Sequence, residues 1–306
     1  MRVLITGASG FVGRALTCSL SRAGYQVRAA ARNRGAVPRA EILEIVQLPD
    51  LAKPVDWRPL LADVDAVVHL AGIAHISRKL PDTIYDRVNR IATKELALAA
   101  SLSPNVRRLV FISSIRAQTG PVSDHILTEN DPPQPVDAYG RSKLAAEAFV
   151  RGYGAPWTIL RPVMVYGPEA RANFRQLARA AALPLPLPFR GLDKRRSVVA
   201  LDNLLSAIRF TLEHPATVNQ TYIVADPTPI SPAEMIAIMR EARGRAPGLV
   251  RVPQHWIRAG LATIGKRDAW DRIGAPLIAD ITKLRDAGWV PPTDTPQALA
   301  DLVRRG

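Results

Sequence analysis

Cysteine is almost missing from this chain: Cys18 is the only one in 306 residues. A lone cysteine excludes an internal disulfide framework, and its setting within an amphipathic segment marks it as a small packing residue. Long apolar runs are missing too. Nothing approaches the roughly 18 consecutive apolar residues of a membrane-spanning helix, and the apolar start is broken at Thr6 and Gly7, short of signal-peptide length. Aromatic residues make up 6% and nowhere interleave with basic ones, which argues against a nucleic-acid surface. Lysine is scarce, 7 against 34 arginines, and the arginines are scattered rather than gathered in a tail. The expectation is a soluble cytoplasmic protein with no nucleic-acid, membrane or metal partner.

The chain has apolar residues enough, 47%, for a sizeable core, and its length exceeds one typical domain. A net charge of +14 suits a small polyanionic ligand, or else marks solvated arginine faces. The organising stretch is the first. Val3, Leu4 and Ile5 read as a buried parallel strand, and Gly7, Gly10, Phe11, Val12 and Gly13 follow at once, before an amphipathic helix. In such a turn the first glycine allows a tight reversal, the second lets backbone approach a pyrophosphate, and the third lets helix lie on sheet. The free amides at the helix start then face phosphate.

Further strands are expected at 25–31, 42–48, 65–72, 107–113 and 157–161, alternating with helices that include 81–102 and 136–152. This pattern predicts a Rossmann-type, doubly wound parallel sheet. At the end of the second strand, where an acid often holds the ribose of NAD, stand Ala31 and Arg32. Arg32 with Arg34 favours the 2′-phosphate of NADP, unless Arg32 merely faces solvent; NAD remains open. Asp50 and Leu51 follow the third strand, where adenine would be met, and Leu70, Ala71 and Gly72 end the fourth with small residues. Past residue 165 the composition changes. The proline-rich stretch 183–188 cannot continue a helix, a helix is expected at 202–214 and a strand at 220–225, and Ser231, Pro232 and Glu234 announce a capped helix. The division predicted is a dinucleotide-binding domain over 1–165, with 197–225 returning to it, and a smaller interrupted substrate lobe over 166–196 and 226–306.

Tyr139 and Lys143 lie four apart on one helix face. By chance such a pair is expected about 0.14 times in a chain of this composition. A neighbouring ammonium should favour the phenolate and make tyrosine an acid/base near neutrality. Ser114, after the fifth strand, would offer a hydroxyl to a substrate oxygen, or else cap a turn.

Gly7-x-x-Gly10-x-x-Gly13, Asp50-Leu51, the His69 to Gly72 motif, Asn89, Ser113-Ser114, Tyr139-x-x-x-Lys143 and the stretch from Arg161 to Pro168 occur in the order of one family. Together they resemble the extended short-chain dehydrogenases/reductases, in the nucleotide-sugar epimerase, dehydratase and reductase branch. The resemblance spans nearly the whole chain. It implies Ser114, Tyr139 and Lys143 as catalytic residues and Asn89 among the cofactor contacts. It also implies a UDP-sugar met by His75, Asn173, Phe189, Arg196 and Arg272, and a homodimer. It is nearest to the 4-epimerase-like and 4-ketoreductase proteins of surface-polysaccharide pathways. Three departures bear on the reaction: Ala31 replaces the NAD-retaining acid, Met164 stands at the branch's usual asparagine, and Ile115-Arg116 replaces the Asp-Glu of dehydratases. The expected enzyme is therefore an NADP(H)-dependent reductase acting at C4 of a UDP-4-keto-hexose, with UDP-hexose 4-epimerase as the alternative and a non-catalytic dinucleotide sensor as the rival class.

Overall fold

Val3, Leu4 and Ile5 form the strand their β-branched and apolar character predicts, with no solvent exposure. The computed structural model describes residues 1–38, 44–73, 80–168, 173–253, 256 and 275–305. Within them β1 (Arg2–Thr6) leads through α1 (Phe11–Arg22) to β2 (Gln26–Ala31), β3 (Glu44–Gln47), the short α2 (Arg58–Leu61) and β4 (Ala66–His69). Next come α3 (Asp82–Tyr85), a π-helical turn (Asp86–Ile91), α4 (Ala92–Leu102), β5 (Arg108–Ile112) and β6 (Ile126–Leu127). The chain continues as α5 (Ala138–Gly152), β7 (Trp157–Pro162), β8 (Met164–Tyr166), α6 (Asn173–Ala182), β9 (Val198–Ala200) and α7 (Leu201–Glu213). It ends with β10 (Gln220–Val224), α8 (Pro232–Glu241), β11 (Ile278–Ala279), α9 (Thr282–Asp286) and α10 (Thr295–Arg305).

Seven strands make one sheet, ordered β3-β2-β1-β4-β5-β7-β10, with every neighbouring pair parallel. Strand alternation splits the core between the two faces. Val3 and Ile5 pack with Leu16 and Leu20 of α1 and Ile208 of α7, while Leu4 packs on the other side with Leu96 of α4 and Val150 of α5. Winding reverses between β1 and β4, which opens a crevice at their carboxyl ends. The doubly wound α/β fold read from the sequence is the fold observed.

A third cluster, holding Tyr166, Ile236, Met239 and Leu299, gathers α8 and α10 around β8 and β9. Ser231 and Glu234 form the expected capping box at the start of α8. Asp226, after β10, ties this region to the sheet: it accepts from Tyr166 Oη (2.8 Å), Ala200 N (2.8 Å) and Asn203 Nδ2 (2.7 Å). Two pairings escaped the sequence, β6 with β11 and β8 with β9. Strands of two or three residues carry no readable period. The helix expected over 81–102 is interrupted by the π-helical turn, a widening that often marks a functional position.

Candidate active site

At the β1–α1 turn, Gly7 has φ +74°, and a Cβ there would lie 2.8 Å from Ala71 N. A Cβ on Gly13 would lie 2.2 Å from Gly7 O, so the helix start can fold over the turn only without one. Gly10 caps α1 in extended conformation, and no acid occupies the first helical turn. Such a cradle leaves amides facing the crevice and fits a dinucleotide diphosphate. Phe11 and Val12 are half-buried and pack on the sheet core, and Phe11 also reaches the third cluster. Ala31 is buried at the end of β2 while Arg32 is exposed. Asp50 is exposed, its carboxylate accepting from Ala52 N at 3.0 Å, and Leu51 is buried beside it.

The β4 end is held by a chain of hydrogen bonds whose directions follow from one another. The Thr93 hydroxyl donates to Asn89 O (2.6 Å), so its oxygen accepts from His69 Nε2 (3.1 Å). His69 Nδ1 then accepts from Thr6 Oγ1 (2.7 Å), which accepts from Ala71 N (3.2 Å). Burial, and next the charge of Lys143, push His69 down to about 3, so it stays neutral. Asn89 is buried and clasps the same loop: Oδ1 accepts from Ile73 N (2.8 Å), and Nδ2 donates to Ile73 O and to Ser142 Oγ (both 3.0 Å). A Cβ on Gly72 would fall 2.8 Å from Asn89 Oδ1 and 3.8 Å from Lys143 Nζ. Leu70, half-buried, and Ala71, buried, complete this loop.

Ser114 and Tyr139 meet across the β5–α5 corner through a side-chain hydrogen bond. Gly140 makes the meeting possible, since a Cβ there would lie 2.1 Å from Arg116 O. The phenol differs from the sequence expectation. Its pKa is raised, first by burial, then by Asp137 and Tyr85, against the lowering influences of Ser114 and Arg116. Lys143 is buried, donates to Ile112 O (2.8 Å), and sits 4.6 Å from the centre of the Phe111 ring. Burial draws it down to about 8, with Glu147 opposing. Glu147 is fully buried and accepts from Ser113 Oγ (2.6 Å), Arg161 Nε (2.9 Å) and Nη2 (2.7 Å), and Arg151 Nη2 (2.7 Å). Removing one member of such a buried pair costs about 3–5 kcal/mol.

Phe189 is half-buried against the third cluster. Arg196 spends Nη1 on Ala275 O (2.6 Å) and Nη2 on Pro121 O (2.9 Å). Burial, and then Arg116, lower it to about 10. His75 and Arg272 lie outside the described residues, as does the side chain of Asn173, whose backbone begins α6.

A family model, NAD dependent epimerase/dehydratase family, matches residues 3–225. The chain belongs to this family. It is 33% identical over 301 residues to a UDP-glucose 4-epimerase of Vibrio cholerae, covering 95% of this chain and 90% of that one. It is also 26% identical over 268 residues to a 2-alkyl-3-oxoalkanoate reductase of Shewanella oneidensis, covering 82% and 68%. Among solved structures, MoeE5 in complex with UDP-glucuronic acid and NAD superposes with TM-score 0.77 at 24% identity, covering 99% of this chain and 98% of that chain. This member is thus an NAD(P)-dependent enzyme of the extended short-chain dehydrogenase/reductase type, and the glycine cradle has the shape its nicotinamide dinucleotide needs. No helix among the described residues is long and apolar enough to cross a membrane. Gly140, Arg116, Ser142, Glu147 and the Thr6–His69–Thr93 chain were not singled out from the sequence as parts of the site. Arg116 had entered only as part of the departure from dehydratases, and His69 only as the start of the motif that ends at Gly72.

Proposed function

We propose that this enzyme reduces the C4 carbonyl of a UDP-4-keto-hexose, with NADP(H) as its preferred dinucleotide. The observation that carries the reading is the corner itself: Ser114 and Tyr139 hydrogen-bonded, with the Lys143 ammonium beside Gly72 at the edge of the cradle. Gly7, Gly10 and Gly13 would hold the diphosphate, and Asp50 and Leu51 would meet the adenine. Leu70, Ala71, Gly72 and Asn89 would line the nicotinamide half, and Lys143 would reach its ribose. A reduced nicotinamide held there would supply the hydride that C4 takes up. Tyr139 gives its proton to the C4 oxygen, and its raised pKa keeps that proton in place until it is needed. Ser114 orients the same oxygen, and Lys143 steadies the phenolate left behind.

Arg32, exposed beside buried Ala31, suits a 2′-phosphate better than two ribose hydroxyls. Phe189 and Arg196 would serve the UDP-sugar side, along with Asn173, His75 and Arg272. On this reading 1–165 and 197–225 hold the dinucleotide, while 166–196 and 226–306 hold the sugar nucleotide. A second reading, UDP-hexose 4-epimerase, is favoured by the likeness to the Vibrio cholerae enzyme over nearly the whole chain. The same residues would then remove and return hydrogen at C4.

The experiment supplies a UDP-4-keto-6-deoxy-hexose with NADPH and follows absorbance. It then supplies UDP-glucose or UDP-N-acetylglucosamine without added dinucleotide. Stoichiometric NADPH loss in the first assay is expected. Interconversion of gluco and galacto sugars in the second, with no NADPH consumed in the first, would select the epimerase.

A further inference from the structure

The Ser114–Tyr139 contact is one link of a closed ring. Ser114 caps the turn after β5, its Oγ accepting from Arg116 N at 3.2 Å. The Arg116 guanidinium reaches across to Asp137, Nη2 to Oδ2 at 2.7 Å. Asp137 is the N-cap of α5, its Oδ1 accepting from Gly140 N at 2.7 Å. Two residues on, Tyr139 closes the ring onto Ser114. Both members of the ion pair are largely sheltered, with 20% and 27% of their side chains exposed.

We propose that Arg116 and Asp137 form a positioning pair that holds the Ser114 hydroxyl and the Tyr139 phenol together and sets the balance of charge on the phenol. This deepens the C4 reading and rests on it for the reaction, though not for the geometry. The pair does two things at once. It ties the turn after β5, whose Arg116 N–H holds the Ser114 hydroxyl, to the first turn of α5, which carries Tyr139. It also places opposite charges beside one phenol. The other groups facing that phenol are Tyr85 from α3 and Ser114 from the turn. Lys143 stands one helical turn along α5, held by Ile112 O, and Arg196 lies beyond Arg116.

The two halves therefore have opposite effects. Removing the Arg116 charge leaves Asp137 unopposed and makes the phenol harder to ionise. Removing the Asp137 charge leaves Arg116 unopposed and makes it easier. An asparagine side chain still caps a helix, so Asp137→Asn changes charge with the fold kept.

The test uses the whole protein labelled with 13Cζ-tyrosine, without substrate, and assigns the Tyr139 signal by its loss in Tyr139→Phe. Titrated upward from neutral pH as far as each variant stays folded, Asp137→Asn should move the ionisation midpoint of Tyr139 down, and Arg116→Gln should move it up. The double variant should return it toward wild type. Midpoints that move the same way, or do not move, would overturn the proposal, since a merely structural tie produces no opposed pair. Circular dichroism and NADPH binding check that each variant is folded; Arg116→Met, which also removes the charge, serves if Arg116→Gln is not, and Arg116→Lys, which keeps it, should leave the midpoint near wild type. Where the C4 assays give turnover, the same order should appear in the pH profile of kcat/KM. Turnover absent in every assay, with opposed midpoints intact, would defeat the C4 reading and leave the pair standing.

Discussion

At the β1–α1 turn the crevice is shaped by side chains that are missing, whereas at the β5–α5 corner it is shaped by side chains that meet. A Cβ on Gly7 or Gly13 would fall within 3 Å of backbone, and nothing but glycine fits. The corner instead depends on Ser114, Arg116, Asp137, Tyr139, Lys143 and Glu147, contributed by two segments over twenty residues apart and joined by hydrogen bonds. On the proposed reading the first construction would hold an anion through backbone amides. The second sets protonation and orientation, and each group's ionisation depends on the others.

The largest effect should come from the corner. Tyr139→Phe keeps the ring against Tyr85 and removes only the proposed proton donor, so turnover should fall by about 10²–10⁴ while dinucleotide affinity stays near wild type. Lys143→Ala should damage both, because on the proposed reading the ammonium would serve the phenolate and the ribose. Since Lys143 lies at about 8 in the free protein, kcat/KM should decline as pH rises through that value. Steady-state kinetics from pH 6 to 9.5, with NADPH binding measured separately, check all three. Wild-type turnover in Tyr139→Phe would move the proton donor elsewhere.

The turn should respond the opposite way, losing binding rather than chemistry. An alanine methyl at Gly13 meets Gly7 O at 2.2 Å and Ala8 Cα at 2.9 Å, while at Gly10 the nearest atom is 3.2 Å away. Overpacking of this kind costs on the order of 1–3 kcal/mol, so Gly13→Ala should weaken NADPH roughly ten- to a hundredfold. Gly10→Ala should cost far less. Gly140→Ala breaks the comparison deliberately, because it puts a steric fault into the hydrogen-bonded corner. Lifting α5 off the Arg116 carbonyl should lower kcat with little change in dinucleotide affinity. Equal losses of affinity in Gly13→Ala and Gly140→Ala would show that the two regions are not separate devices.

The same contrast explains what could be read before the structure. Glycines in a strand–turn–helix context speak through sterics local to a dozen residues, and buried parallel strands speak through apolar runs, so the sheet and the cradle were legible. Tyr139 and Lys143 were legible because one helix carries both. Arg116 was seen only as a departure from dehydratases, since its partner Asp137 lies 21 residues on and the bond depends on how a turn packs against a helix. The lowered phenol expected from Lys143 failed for a related reason: spacing brings an ammonium near, but burial decides the sign. Arg196 was read through a resemblance as a contact of the sugar nucleotide, and nothing local foretold that the carbonyls of Pro121 and Ala275 hold two of its nitrogens.

Dinucleotide choice is a smaller effect at the rim of the cradle. Arg32 is exposed and its contact with a 2′-phosphate would be charge-assisted, contributing about 1.5–3 kcal/mol, or roughly ten- to a hundredfold. Arg32→Ala should lower NADPH affinity by that factor and leave NADH affinity unchanged, as measured by fluorescence titration. Identical NADPH-to-NADH ratios in both proteins would return Arg32 to an ordinary loop position.

The smallest effect concerns stability, far from either device. Asp226 is buried and accepts from Tyr166, Ala200 and Asn203, with no cation among these partners. Burial raises its pKa in the folded protein, and the hydrogen bonds from Ala200, Asn203 and Tyr166 only partly offset this. The unfolded chain titrates near the ordinary value of about 3.9. Between the two midpoints the folded protein holds a proton that the unfolded chain has released, so stability falls as pH rises through this window and levels off above it. The substitution Asp226→Asn keeps an acceptor for Ala200 and Asn203, and the Tyr166 hydroxyl can turn to accept from the new amide. The gap in denaturation midpoint, wild type minus Asp226→Asn, should therefore narrow or reverse between pH 4 and 7, by about a degree or a few. A gap that widens with pH would mean that the hydrogen bonds outweigh burial and that Asp226 is held ionised.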